Sequence, residues 1–458
     1  MPQISPLKKY LASASFWAST GQILGTLFSF ANMAVLSRII SPEEMGNYLL
    51  ILSVVVMTSL FGMFGLPETM MRNTAKLIGI NNQAQAKATI HATIALVGIF
   101  SLVTALIVFI SPIADSLERT FNLELIGYVS LLVLAWVVLH CVHTTEIHVF
   151  RGLQDIFRAS IFGQSMRGGL TLLTLIVLNA NSAVNNAADA ILANCIALSI
   201  VVVIAGMSLR KKAQTLCYSD DKWPTRQLLW QAIPFLVDGV IYQAFLRVGI
   251  WLLGYHVTKS DVALYGAAVQ MVTLIMFPMQ ILNSLLPPFI ANRYGKEKDN
   301  KSLQSIIRTV TTVVSVPSTL VTILFVVWGG KILSLVFGEF YGNGHMILAV
   351  LSIGYLSNIV FGPAGFLLKM TFHQTDLLKI NLVASLLTIL PAAYVAKNHT
   401  PESVAIVFAA SMVLKNIYTF ATAYRKTGIL PALLVRPAQH RTLLVELRAF
   451  VVQLLQSR

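Results

Sequence analysis

Apolar residues in this chain come in long blocks separated by short polar stretches. A block of about twenty residues crosses a bilayer core of about 30 Å as a helix. Inside hydrocarbon the helix satisfies its own backbone. Twelve blocks qualify, at 14–36, 47–66, 88–111, 122–144, 158–178, 187–209, 230–255, 262–288, 305–328, 346–368, 378–396 and 402–424. The pattern predicts an all-α polytopic membrane protein of about 12 transmembrane helices.

One polar knot recurs. Between the first two blocks lies Ala34 to Tyr48, and residues 251–265 echo it. Leu36 aligns with Leu253, Ser37 with Gly254, Ser41 with Thr258, Glu44 with Asp261 and Tyr48 with Tyr265, all at one offset of 217 residues. A turn repeated at nearly half the chain length points to a protein built twice from one helical unit. The expected organisation is a six-helix bundle over 1–209, a cytoplasmic linker over 210–229, a second six-helix bundle over 230–424 and a tail over 425–458. With six spans each, the halves share an orientation, so a pseudo-twofold axis should run along the membrane normal. If the two bundles rock about that axis, the knots would lie on the outer face, on opposite sides of a cavity mouth.

Composition agrees with this class. Of 458 residues, 56% are hydrophobic and 11% charged, with mean hydropathy +0.74; a soluble domain carries about 25% charged residues. The formal charge of +14 sits mainly in loops on one side. Loops on that side and the tail hold 25 Lys and Arg, the opposite loops 5. By the positive-inside rule both termini are cytoplasmic, and nucleic acid is not needed to explain the charge. The N-terminal apolar run is too long for a signal-peptide core and reads as the first span. Cys141, Cys195 and Cys217 are scattered, with no disulfide framework or CxxC motif. In the tail, the run Leu443 to Leu455 is broken by Glu446 and Arg448, which suits an amphipathic helix on the membrane surface.

Polar residues inside the spans are the candidate chemistry. Ser15, Ser19, Gln22, Thr26 and Ser29 share one face of span 1, so that face lines a helix or a wet cavity. Gly21 and Gly25 form a GxxxG close-packing motif there. His140, His143 and Glu146 fall within a third of the circumference of span 4. They read as a proton-coupling site, a metal site or simply a polar interfacial end. The deepest charges are Arg167 in span 5 and Asp238 and Arg247 in span 7. Such charges are costly in a bilayer and should face the interior. Arg167 and Asp238 suit either a structural ion pair or ligand binding; Arg247, with Gln243 a turn away, suits ligand contact.

Three segments carry a resemblance: SRIISPEEMGNY at 37–48, GLPETMMRN at 65–73 and RGLQDIF at 151–157. In these, and in their order, the chain resembles bacterial polysaccharide-biosynthesis flippases of the multidrug/oligosaccharidyl-lipid/polysaccharide exporter superfamily. The resemblance implies two six-helix bundles around a central cavity. It also implies flipping of undecaprenyl-pyrophosphate-linked oligosaccharides for O-antigen, capsule or exopolysaccharide assembly. Many members carry an Asp-Arg pair just before a Leu-Leu-Gly that Leu252-Leu253-Gly254 matches; here those positions are apolar, and Arg247 lies a turn earlier. The expected partners are the lipid-linked oligosaccharide, membrane lipids and other glycan-assembly proteins. No cofactor is expected beyond a coupling H+ or Na+. A related multidrug/cation antiporter would favour buried carboxylates over arginines. A polymerase or ligase of the same pathway would carry a large outer loop with catalytic basic residues.

Overall fold

A computed structural model describes residues 6–109, 112–123, 127–214, 225–283, 300–371, 373–398 and 400–432. All regular elements among them are helices. They are α1 (Pro6–Ile39), α2 (Pro42–Met63), α3 (Leu66–Gly79), α4 (Gln83–Phe109), α5 (Pro112–Phe121), α6 (Tyr128–Gly152), α7 (Ile156–Ala180), α8 (Ala187–Gln214), α9 (Thr225–His256) and α10 (Lys259–Asn283). There follow α11 (Asn300–Phe337), a 3-10 turn (Glu339–Gly344), α12 (His345–Val360), α13 (Ala364–Met370), α14 (Gln374–Asn398) and α15 (Pro401–Thr427).

Among the described residues, eleven segments are long and apolar enough to cross a membrane, and they fall on the second to twelfth predicted spans. The 34-residue α1 falls on the first. Two spans end earlier than hydropathy suggests. Span 2 stops at Met63 because Phe64 (φ 52) and Gly65 (φ 68) are both left-handed. The chain then re-enters a helix through Pro67, whose fixed φ suits a first turn. Span 10 stops at Val360, where Gly362 (φ 70) and Pro363 break it before α13.

The repeated knot is a pair of helix caps. At α2 the Ser41 side chain accepts from the Glu44 backbone N–H at 3.2 Å, with Pro42 at the first helical position. At α10 the Thr258 hydroxyl accepts from the Asp261 N–H (3.2 Å), and Asp261 Oδ2 accepts back from the Thr258 hydroxyl (2.7 Å) and N–H (3.3 Å). This second copy is a reciprocal capping box. In the first copy Glu44 is diverted. Its Oε2 accepts from Ala187 N–H at 2.7 Å and so caps α8.

The chain divides into two compact units. One runs from Thr20 to Ala263. In it α2 packs against α4, α6, α8 and α9, and α3 against α4, α6 and α9. Fully buried Met45, Leu50, Leu66, Met70, Ile90, Trp136, Phe150 and Ile191 fill it. The GxxxG motif packs as expected. An ideal Cβ would come within 2.8 Å of Ser160 Cβ at Gly21 and 2.5 Å of Gln164 Cβ at Gly25, so α1 and α7 touch through these glycines. Ser165 Oγ donates to Gly21 O (3.0 Å) and Asn32 Nδ2 to Gly168 O (2.9 Å), sewing the same seam. By packing this unit includes α9, the seventh span, which the repeat places in the second half.

The other unit takes residues from Leu264 onward together with the start of α1. Here α11, α12, α14 and α15 pack side by side. At Gly354 an ideal Cβ would stand 2.8 Å from Ala409 Cα, bringing α12 against α15. Helix α15 ends at Thr427 with left-handed Gly428 (φ 69). Residues 428–432 then fold back into this unit: Ile429 is fully buried, Leu430 N–H donates to Gln304 Oε1 (2.8 Å) and Pro431 O accepts from Thr311 (3.1 Å). Linker residues 215–224 and tail residues 433–458, including the expected amphipathic helix, lie outside the described residues.

Candidate functional site

Four helices of the Thr20–Ala263 unit bring polar side chains together in an otherwise apolar interior. Helix α6 supplies His140 and His143, α7 supplies Arg167, α2 supplies Tyr48 and α9 supplies Arg247. The Arg167 guanidinium donates to His140 Nδ1 at 3.4 Å. An arginine has no acceptor, so Nδ1 is the bare nitrogen of a neutral imidazole. Arg167 also stands within electrostatic range of His143 and Tyr48, and Arg247 within range of His140.

Local structure places Arg167. Residues Ile161–Ser165 form a π-turn, in which Gly163 leaves helical backbone (ψ -131). A π-turn frees a backbone acceptor, and the Phe162 carbonyl bonds to His143 Nε2 at 2.8 Å. The turn therefore locks α7 to α6 just before Arg167. Tyr48 is fixed on two sides: it stacks on Trp136 with centroids 6.0 Å apart, and its hydroxyl accepts from Asn194 Nδ2 at 3.1 Å. Near Arg247, Trp251 Nε1 donates to Ser53 Oγ at 2.6 Å, tying α9 to α2.

Arg167, Arg247, His140 and His143 thus belong to one cluster. Arg247 is half-buried, and its Nε is sealed without a hydrogen-bond partner. Asp238 is exposed and forms no ion pair with Arg167, so the structural-pair alternative does not hold. Gln243 is half-buried one turn before Arg247. Gln22 is half-buried, and its carbonyl accepts from the Thr26 hydroxyl at 2.9 Å, so Thr26 spends its donor within α1. Ser29 is exposed, and the Ser15 side chain lies outside the described residues. Glu146 is buried on α6, apart from the arginines' hydrogen bonds. Tyr48 and Asn194 were not among the expected site residues. An amide in the middle of an apolar span was the available clue to Asn194.

At the end of α2 nearest Ser41, the two knots touch. An ideal Cβ at Gly46 would lie 2.0 Å from Lys259 O, and Lys259 Nζ donates to Phe121 O. In this structure the two knots thus meet at one end, where α2 packs against α9.

At the opposite end the other two motif segments meet. His148 Nε2 lies 3.8 Å from Glu68, and an ideal Cβ at Gly152 would stand 3.2 Å from Met71 Cα. Gly65 fits its left-handed turn against Ala232 O, 2.4 Å from an ideal Cβ. Asn73 Nδ2 donates to Gln231 Oε1 at 2.9 Å, and the Arg72 guanidinium sits 5.3 Å from the Phe235 ring centre. Asp155 caps α7, accepting from the Arg158 N–H (3.2 Å), and pairs with the Arg158 guanidinium (2.6 Å) and with Lys212. Burial pushes the Asp155 carboxyl up, but hydrogen bonds from Lys212 and Arg158 outweigh it and hold the group below its ordinary value.

Residues 11–294, more than half of the chain, match the family model described as polysaccharide biosynthesis protein. The chain belongs to that family. No curated protein sequence matches it. Among solved structures it is similar to an inward-facing multidrug resistance MATE family transporter of the MOP superfamily. The TM-score is 0.72 at 14% identity, over 91% of this chain and 98% of that one. An outward-facing structure of such a transporter gives 0.64 at 16% identity, over 92% and 96%. A MOP superfamily transporter from Pyrococcus furiosus, described as having a binding pocket of reversed polarity that suggests a different function, gives the same values. At these identities the likeness establishes the fold, a two-lobed all-helical membrane fold of about 12 spans.

Proposed function

We propose that this member of the polysaccharide biosynthesis family is a flippase. It would move undecaprenyl-pyrophosphate-linked oligosaccharide across the bacterial cytoplasmic membrane by alternating access, for assembly of a surface glycan. The observation that carries this reading is the arginine cluster. Arg167 and Arg247 sit half-buried among four apolar helices, with no carboxylate among the described residues paired to either. Arg167 has one neutral partner, His140, which leaves guanidinium N–H groups to grip a diphosphate bidentately. Tyr48, Asn194 and Gln243 add neutral hydrogen-bonding groups of the kind a sugar needs. Membrane lipids and other glycan-assembly proteins are the partners such a role implies. Both termini, and the end carrying Glu68, Asp155 and Lys212, would then face the cytoplasm, and the Gly46–Lys259 contact would close the outer end.

The alternative is a multidrug or cation antiporter, which the names of the structural neighbours bring forward. A cation site would be built on carboxylates, and the assembled cluster is cationic. The test is surface glycan in a strain carrying Arg247→Ala at native expression. Loss of glycan with normal membrane levels of protein, and partial recovery with Arg247→Lys, is the expected result. Normal glycan in the alanine strain would remove substrate contact by Arg247.

A further inference from the structure

Glu146 lies in α6, on the side facing α8, and is 7% exposed. Its Oε2 is sealed from solvent with no hydrogen-bond partner, and it forms no ion pair among the described residues. Its Oε1 occupies the space above Gly206 of α8, where an ideal Cβ would stand 2.9 Å away and would meet no other atom within 4 Å. The missing side chain at 206 is what makes room for the carboxyl.

The charged and titratable groups on the helices packed around α6 are engaged elsewhere or lie at the surface. On α6 itself, His143 bonds to Phe162 O, and His148 bonds to Thr144 O and faces Glu68 of α3. On α8, Arg210 is exposed and Lys212 pairs with Asp155. On α7, Arg158 pairs with Asp155 and Arg167 faces His140. On α4, His91 is exposed and Lys87 has its own partner. Arg72 of α3 lies over Phe235, and Lys76 is exposed. Glu43 and Glu44 of α2 lie at the far end of that helix.

An ionised carboxylate sealed from water without a partner is strongly disfavoured, whereas the neutral acid is tolerated. His140 and His143 are already committed to Arg167 and Phe162. We propose that Glu146 is a proton-binding site, which holds a proton while seated over Gly206 and releases it to water when the carboxyl leaves that seat. In the release step the carboxyl O–H bond breaks, the proton passes to water and the carboxylate keeps the electron pair. The proposal goes beyond the substrate reading and stands without it.

Infrared spectroscopy of the full-length protein in lipid nanodiscs, across a pH series, tests it. The expected result is a protonated-carboxyl band at neutral pH that disappears in Glu146→Gln, a variant of nearly the same shape. Identical spectra for the two proteins would overturn the proposal. Gly206→Ala gives a second reading without replacing Glu146, because its methyl meets only the carboxyl end of that flexible side chain and displaces it from the seat. Its band should disappear at lower pH than in the parent protein, and an unchanged titration would overturn the seat.

Discussion

Gly46 lies flat against the backbone carbonyl of Lys259, so close that an ideal Cβ would be 2.0 Å from that oxygen. Backbone cannot yield as a side-chain tip can. Gly46→Ala should therefore force α2 from the start of α10, at a cost of about 1–3 kcal/mol. The expected outcome is a lower unfolding temperature and reduced glycan export. An alanine variant as stable as the parent would show that the contact is not held in the membrane.

Asp155 links the α6–α7 turn to Lys212 of α8. Its folded-state carboxyl titrates below the ordinary value. Its stabilisation is therefore complete above the ordinary carboxylate range and is lost as pH falls through the folded-state value. Asp155→Asn should lose about 1.5–3 kcal/mol at neutral pH, and the gap from the parent should narrow on acidification. Thermal unfolding at two pH values measures this.

Asn73 and Gln231 join α3 to α9 by a 2.9 Å hydrogen bond inside one compact unit. If α9 moves with that unit, a disulfide between Asn73→Cys and Gln231→Cys should leave glycan export unchanged. Blocked export that recovers on reduction would show instead that α3 and α9 separate during transport.

Topology can be read from one thiol. Cys141 and Cys195 are buried, so a membrane-impermeant maleimide should report on Cys217, outside the described residues. No labelling in intact cells and rapid labelling after permeabilisation are expected. Labelling of intact cells would reverse the orientation.

What the chain revealed in one dimension and what it hid differ physically. Spans were legible because bilayer thickness imposes a length on apolar runs. The repeated knot was legible because a cap needs Ser or Thr three residues before Glu or Asp, as in Ser41–Glu44 and Thr258–Asp261. Gly21 and Gly25 were legible because close helix approach excludes side chains. The cluster around Arg167 was only half legible. Which polar groups meet depends on how each helix is rotated, and hydropathy carries no azimuth. So Arg167 and Asp238 do not pair, while Tyr48 and Asn194 meet unannounced. The contact of the two knots was hidden for the same reason.

The π-turn at Ile161–Ser165 sets the phase of everything after it. A π-turn is equivalent to one residue inserted into an α-helix, and each residue of a helix advances the azimuth by about 100°. Straightening that turn without removing a residue would swing Arg167 by about that angle away from His140. The hydrophobic run would read much the same to hydropathy. The Arg167–His140 contact thus depends on a local irregularity in α7 that leaves the apolar span itself unchanged.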